Sequence, residues 1–134
     1  MKISHTLVET RHRMSQAAAL FGSSFPIKVE PVIYSFTDKI APEYIGGYWE
    51  FYVLSNDGFY MAPVTDNYYR VCCDNGYEGV LSADALGIAV CLYAYSHLSF
   101  SGGSMSEVYA TQYHWLRDYM LCHLEVESIL KTID

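Results

Sequence analysis

Residues 44–63 read Tyr44-Ile45-Gly46-Gly47-Tyr48-Trp49-Glu50-Phe51-Tyr52-Val53-Leu54-Ser55-Asn56-Asp57-Gly58-Phe59-Tyr60-Met61-Ala62-Pro63, and the apolar period of this stretch is two. Trp49, Phe51 and Val53 fall on one face of a strand; Tyr48, Glu50 and Tyr52 fall on the other. Ser55-Asn56-Asp57-Gly58 is a hairpin turn, because Asn and Gly tolerate the positive φ that such turns need. Phe59 to Ala62 runs back, and Pro63, which has no amide proton for a ladder, marks the end of an edge strand. Downstream, Tyr68 to Cys73 is rich in β-formers and predicts a third strand. Asn75-Gly76 is the strongest turn signal in the chain, and Tyr77 to Leu81 follows as a fourth strand. These segments read as an antiparallel meander of three to four strands.

On either side the period changes to helical. Met14, Ala17, Ala18 and Phe21 share a face between Arg11 and Phe21, with Gly22 as the stop. After a loop containing Pro26, Pro31 opens a short helix with Ile33, Phe36 and Ile40 on one side, and Pro42 ends it. Ser82 caps a helix running to about Leu98, with Asp84 favourable near its positive end. That helix is apolar nearly all round, which predicts burial. Ser101-Gly102-Gly103 is a flexible connection. Ser104-Met105-Ser106-Glu107 then has the form of a capping box for a last helix, in which Val108, Trp115, Tyr119, Cys122, Val126 and Ile129 recur at spacings of three, four and seven. The expectation is an α+β fold, a meander packed with about four helices, in one domain over residues 1–134.

Hydrophobic residues make up 51% of the chain and charged residues 17%, a balance that excludes general disorder. No apolar run reaches the roughly 18 residues of a membrane helix, and no secretory signal is present, so a cytoplasmic setting is expected. Cys72, Cys73, Cys91 and Cys122 are therefore expected as reduced thiols. The formal net charge is −7, and no basic block exists to replace the counterions around phosphates, so direct nucleic-acid binding is not expected. Mimicry of DNA would need carboxylates as dense as about one charge per 3.4 Å per strand. The acids here are scattered.

Side chains that carry chemistry are few. No phosphate-binding glycine loop, nucleophile elbow or zinc-protease helix is present, and no cofactor or metal is implied. His114 and Asp118 share a helix face, but no second ligand pair accompanies them, and they read as solvated. His97 reads as a hydrogen-bonded structural histidine. Glu50, between Tyr48 and Tyr52, is a possible acid for a hydrolase if that face is buried, but it lacks an obvious second carboxylate. The alternative for Glu50 is a bond to Arg70 or to a tyrosine. The 13 tyrosines stand out in the composition. Tyr48, Tyr52, Tyr60 and Tyr68 fall on one face of the meander, which fits either a protein interface or a sheet face beneath helices.

The block from Tyr44 to Pro63 closely resembles the signature of the ArdB/KlcA antirestriction family. Members share a Tyr-x-Gly-Gly-Tyr-Trp-Glu-Phe-Tyr run, a Leu-Ser-Asn turn and a Gly-Phe-Tyr-Met-Ala-Pro return strand. Ser82-Ala83-Asp84-Ala85-Leu86-Gly87-Ile88 resembles the family's helix start. The resemblance covers about residues 42–98 and departs from the pattern at Asp57, where a glycine is more usual. It implies a non-enzymatic protein of plasmids, prophages or genomic islands that relieves type I restriction of incoming DNA without copying DNA's charge. Combined with the tyrosine-bearing face, it makes Tyr48, Glu50, Tyr52, Asn56, Asp57 and Tyr60 the expected contact surface for the restriction–modification enzyme or associated host machinery. Two other readings stay open: an interaction domain of a mobile element without antirestriction activity, and a hydrolase using Glu50.

Overall fold

The alternation across Trp49–Pro63 folds as its period requires. In the computed structural model, which describes residues 2–134, strand β2 (Trp49–Leu54) pairs antiparallel with β3 (Phe59–Pro63), placing Tyr52 opposite Tyr60 and Trp49 opposite Pro63. A three-residue strand with no periodic signal of its own, β1 (His5–Leu7), adds to the other side of β2, giving the order β1-β2-β3. On one face of this sheet Trp49 and Phe51 are buried, and Phe51 meets Phe25 and Phe59 edge-on at 5.4 Å each. Edge-on contact is the geometry that ring quadrupoles favour.

The four-strand meander expected from the sequence does not form. Strands β4 (Tyr68–Cys72) and β5 (Glu78–Ser82), joined through Asn75-Gly76, make a separate two-stranded sheet. The reason lies at the outer edge of β3. Helix α3 (Ala83–Phe100) occupies that edge: the Tyr95 hydroxyl donates to Phe59 O at 2.7 Å, and the Cys91 thiol to Met61 O at 3.7 Å. The Phe59 and Met61 carbonyls that a fourth strand would use are taken by α3, and Pro63 has no proton to offer one. Tyr68 therefore leaves the face of Tyr52 and Tyr60 and stands exposed on the second sheet.

Ser82 caps α3 as its position predicts, its Oγ accepting from the Ala85 amide at 3.2 Å. The helix is buried from Ala85 through Leu92. At about 1.5–3 kcal/mol per buried Leu, Ile or Val, it is the centre of the core. Around it pack α1 (Arg13–Phe21), which stops at Gly22, and α2 (Glu30–Ile40), with Pro31 in its first turn. The Pro26 loop is instead a π-helical turn over Phe25–Val29 that runs straight into α2.

The last helix is two helices, α4 (Ser106–Met120) and α5 (Val126–Ile133). The expected capping box is not made; Met105 precedes α4 and no side chain caps it. The α+β class holds, with five α-helices and two small antiparallel sheets among the described residues. All four cysteines are free, Cys91 buried and Cys122 exposed. None of the described helices is long and apolar enough to cross a membrane.

Candidate functional site

The second face of the three-stranded sheet carries His5, Leu7, Glu50, Tyr52 and Tyr60, because directly opposed residues share a face: Leu7 and Tyr60 flank Tyr52, and His5 pairs with Leu54, two residues from Tyr52. Tyr52 is stacked between two rings, His5 at 4.8 Å and Tyr60 at 4.9 Å between centroids. Tyr119 of α4 closes the group, 5.8 Å from both His5 and Tyr60.

A polar chain runs through these rings. The hydroxyl of the fully buried Tyr60 donates to Asp84 Oδ1 at 2.7 Å. Tyr60 has one proton, so the 2.8 Å bond to His5 takes its proton from His5 Nδ1, which also lies 3.1 Å from the Tyr119 hydroxyl. On the other side of Asp84, Oδ2 lies 2.9 Å from His123 Nε2, while His123 Nδ1 accepts the Glu125 amide at 3.0 Å. The amide fixes the tautomer: the His123 proton must sit on Nε2 and be donated to Asp84. The Glu125 carboxylate in turn accepts from the Ser82 amide at 2.9 Å and from the Ser82 hydroxyl at 2.5 Å, adding negative charge at the start of α3.

These bonds explain the break between α4 and α5. His123 and Glu125 both lie in the gap between Met120 and Val126, where they bond to Asp84 and Ser82 at the α3 N-terminus.

The electrostatics follow from the packing. Burial alone pushes the Asp84 carboxyl up, but the hydrogen bonds it accepts from His123 and Tyr60 overcome this and hold it below its ordinary value. Burial, then the Asp84 charge, raises the Tyr60 phenol far above its ordinary value, so it stays a donor. Burial and the Glu50 charge raise Tyr52 as well. Both Asp84 oxygens, the Tyr60 hydroxyl and both His123 nitrogens are engaged, so this cluster holds shape and charge and has no idle base.

Beside it opens a hollow of about 430 Å³ whose lining includes Glu50, Tyr52, Asp66 and Asp84. A second hollow, of about 370 Å³, lies against His5, Tyr119 and His123.

Of the residues expected to form a contact surface, Glu50, Tyr52 and Tyr60 share this face. Tyr60 is wholly inside it. Tyr48 turns away: its hydroxyl accepts from Arg13 Nη1 at 2.7 Å, and the same guanidinium lies 4.0 Å over Phe51 on the opposite face. Asn56 and Asp57 are tied down on α4, Asn56 Nδ2 donating to Trp115 O at 3.0 Å and Gln112 Nε2 donating to Asp57 O at 3.2 Å. His97 is exposed and meets Phe36 edge-on at 5.7 Å in place of the expected hydrogen-bonded role. His5, Tyr119, His123 and Glu125 were not anticipated from sequence, and Asp84 only as a helix-dipole partner.

Asp57 has φ of 74°, alone among the described non-glycine residues in the left-handed region. Alanine there is expected to lower stability by about 1 kcal/mol. Glycine removes that strain but frees the unfolded chain by a similar about 0.4–1 kcal/mol. Urea denaturation should therefore place Asp57→Gly close to the parent and Asp57→Ala clearly below it.

Residues 42–134 match the model of a protein family described as antirestriction protein. The chain belongs to the antirestriction protein family. Antirestriction protein KlcA of Escherichia coli is 35% identical over 134 residues, covering 96% of this chain and 92% of that one. The uncharacterized protein YafX of Escherichia coli strain K12 is 40% identical over 109 residues, 79% of this chain and 70% of its own. A solved structure from work on KlcA and ArdB, described as showing a novel fold and antirestriction activity against type I DNA restriction systems in vivo but not in vitro, superposes with a TM-score of 0.91. That chain is 31% identical, and the match covers 100% of this antirestriction family member and 96% of its neighbour. The family match begins at residue 42, so His5 reaches the cluster from outside the matched span.

Proposed function

We propose that this protein relieves type I restriction of incoming DNA in the bacterial cytoplasm, acting as one antirestriction domain over residues 1–134 through protein contacts and without enzymatic turnover. The observation that carries the proposal is the full-length likeness to the KlcA/ArdB structure, at a TM-score of 0.91 and 31% identity. The partner is the restriction–modification enzyme or host machinery working with it. The neighbour's activity in vivo but not in vitro supports a partner or condition present in the cell and missing from a purified assay. The contact surface is the face around Glu50 and Tyr52.

A hydrolase reading finds less support. Glu50 does share a hollow with Asp66 and Asp84, but no histidine lines it, and His123 is engaged behind Asp84. DNA mimicry is also disfavoured, because the 15 acidic residues are scattered along the sequence among 8 basic ones and form no dense run.

The test is entry of unmodified phage or plasmid DNA into cells with an active type I system. With the protein expressed, survival of the DNA should rise at least tenfold and the purified restriction enzyme should be unaffected. Unchanged survival with folded protein present would sink the antirestriction reading and favour an interaction domain that has lost it.

A further inference from the structure

We infer that the outer edge of β1 is an interface for a second copy of this chain, the two β1 strands pairing antiparallel so that two three-stranded sheets become one.

The direction of the backbone identifies the open edge. The Val8 amide donates to Phe51 O at 2.8 Å, and Ser4 O accepts from the Ser55 amide at 2.9 Å, so the even-numbered residues of this segment bond to β2. Alternation in an antiparallel ladder then turns the amides and carbonyls of His5 and Leu7 outward. No strand lies beyond them, and the chain from Ser4 to Leu7 is exposed. The other strand edges are each met by a helix or a side chain, the usual defence against unwanted pairing. Helix α3 covers β3, the Glu43 carboxylate accepts from the Arg70 amide of β4 at 3.0 Å, and Glu125 accepts from the Ser82 amide of β5. Between Ile3 and Val8 there is neither a proline nor an acidic, Lys or Arg side chain to blunt the edge.

The strand fits its own copy. With His5 opposite Leu7 of the second copy, each such pair exchanges both of its main-chain bonds. The same register sets Thr6 against Thr6, a favourable cross-strand pair. On the tyrosine-bearing face, the half-exposed Leu7 of the second copy comes beside His5. There it borders the hollow of about 370 Å³ whose lining includes Ile3, Tyr119 and the fully exposed Leu124, and it gains apolar cover. Antiparallel pairing also brings the Lys2 end of each strand to the Glu9 end of the other, so opposite charges meet at both ends. Only backbone is used at His5, and its ring keeps its place against Tyr52 and Tyr60. Repulsion between two chains of net charge −7 opposes the contact, so moderate salt strengthens it. The two tyrosine-bearing faces then lie on the same side of one sheet, with the β2 strands three strand spacings apart, roughly 14 Å.

The test uses the full chain in moderate salt, from low micromolar to millimolar concentration. Sedimentation equilibrium should show monomer passing to dimer. Over the same range the His5 and Leu7 amides should exchange hydrogen several-fold more slowly, while those of Thr6 and Val8, already bonded to β2, should change little. Leu7→Pro removes only an outward amide, at an edge position that tolerates proline. By symmetry it deletes two bonds, and it should weaken the dimer about tenfold with the urea midpoint kept. Leu7→Thr retains the amide and should weaken the dimer less than Leu7→Pro does. If Leu7→Pro does not fold, the exchange pattern of the parent decides alone. Monomer at every concentration would overturn the inference, as would a dimer that protects amides elsewhere or is indifferent to a folded Leu7→Pro. Protection of His5 and Leu7 only when a restriction enzyme is added to a monomeric chain would give the edge to a foreign strand, and overturn it too.

Discussion

Replacing Gly87 by alanine is expected to destabilise the protein by about 2–3 kcal/mol, the cost of overpacking a close-packed core. In an exposed helix the same change stabilises by about 1 kcal/mol, so the sign itself is diagnostic. A Cβ at Gly87 would lie 2.4 Å from both Met61 O and Ala62 Cβ, and 2.6 Å from Ala62 Cα. Two of these three atoms belong to backbone, which has no rotamer to escape into. Strand β3 cannot retreat either, since it is held by the β2 ladder on one side and by the Tyr95 and Cys91 bonds on the other. Any shift also carries Tyr60 away from Asp84, so the urea midpoint should fall and the amide signals around Tyr60 and Asp84 should move together. A midpoint that rises on Gly87→Ala would show that helix propensity outweighs the contact, and would refute the flush packing of α3 on β3.

The position of Gly87 illustrates what sequence conveys here and what it withholds. The β2–β3 hairpin was legible because its signals are local: a period of two, a turn of Asn and Gly, and Pro63 at the edge. The Ser82 cap and the buried α3 were legible for the same reason. Whether β4 could join β3 depended on α3 occupying the strand's outer edge, and no short window contains that fact. The gap between α4 and α5 was hidden because Val126 and Ile129 continue the apolar spacing across it.

For the candidate site, period alone brought Glu50, Tyr52 and Tyr60 together. His5 had no signal, since it meets Tyr119 across 114 positions of chain. Asn56 and Asp57 looked like a free hairpin tip because their partners, Trp115 and Gln112, lie on a helix more than fifty residues downstream. Tyr48 shares the parity of Tyr52, yet Arg13, with a bond to its hydroxyl, draws it to the other side.

Removing the Asp84 carboxylate should be at least as costly as the change at Gly87, and it should leave a signature in pH. Asp84→Ala strands two donors, the Tyr60 hydroxyl and His123 Nε2–H, for an expected loss of about 2–4 kcal/mol. The two donors differ in their freedom to adapt. Tyr60 can turn its proton to His5 if His5 releases its own from Nδ1. His123 cannot reverse, because the Glu125 amide already points at Nδ1. Asp84→Asn should accordingly be milder: its oxygen faces His123, its amide faces a reversed Tyr60, and what is lost is mainly charge assistance, about 1–2 kcal/mol.

The pH dependence follows from the direction of the Asp84 shift. Its carboxyl is held below the ordinary value in the folded chain, so the unfolded chain takes up the proton first. The stabilisation is complete above the unfolded value of about 3.9 and is lost as pH falls through the lower folded value. Asparagine carries no such proton. Urea midpoints measured for parent and Asp84→Asn should therefore differ most near pH 5 and converge towards pH 3. The other carboxylates acidify equally in both proteins and cancel in that difference. A gap that stays constant over this range would mean that the Asp84 charge does not hold the cluster, and that its oxygens act there only as neutral acceptors.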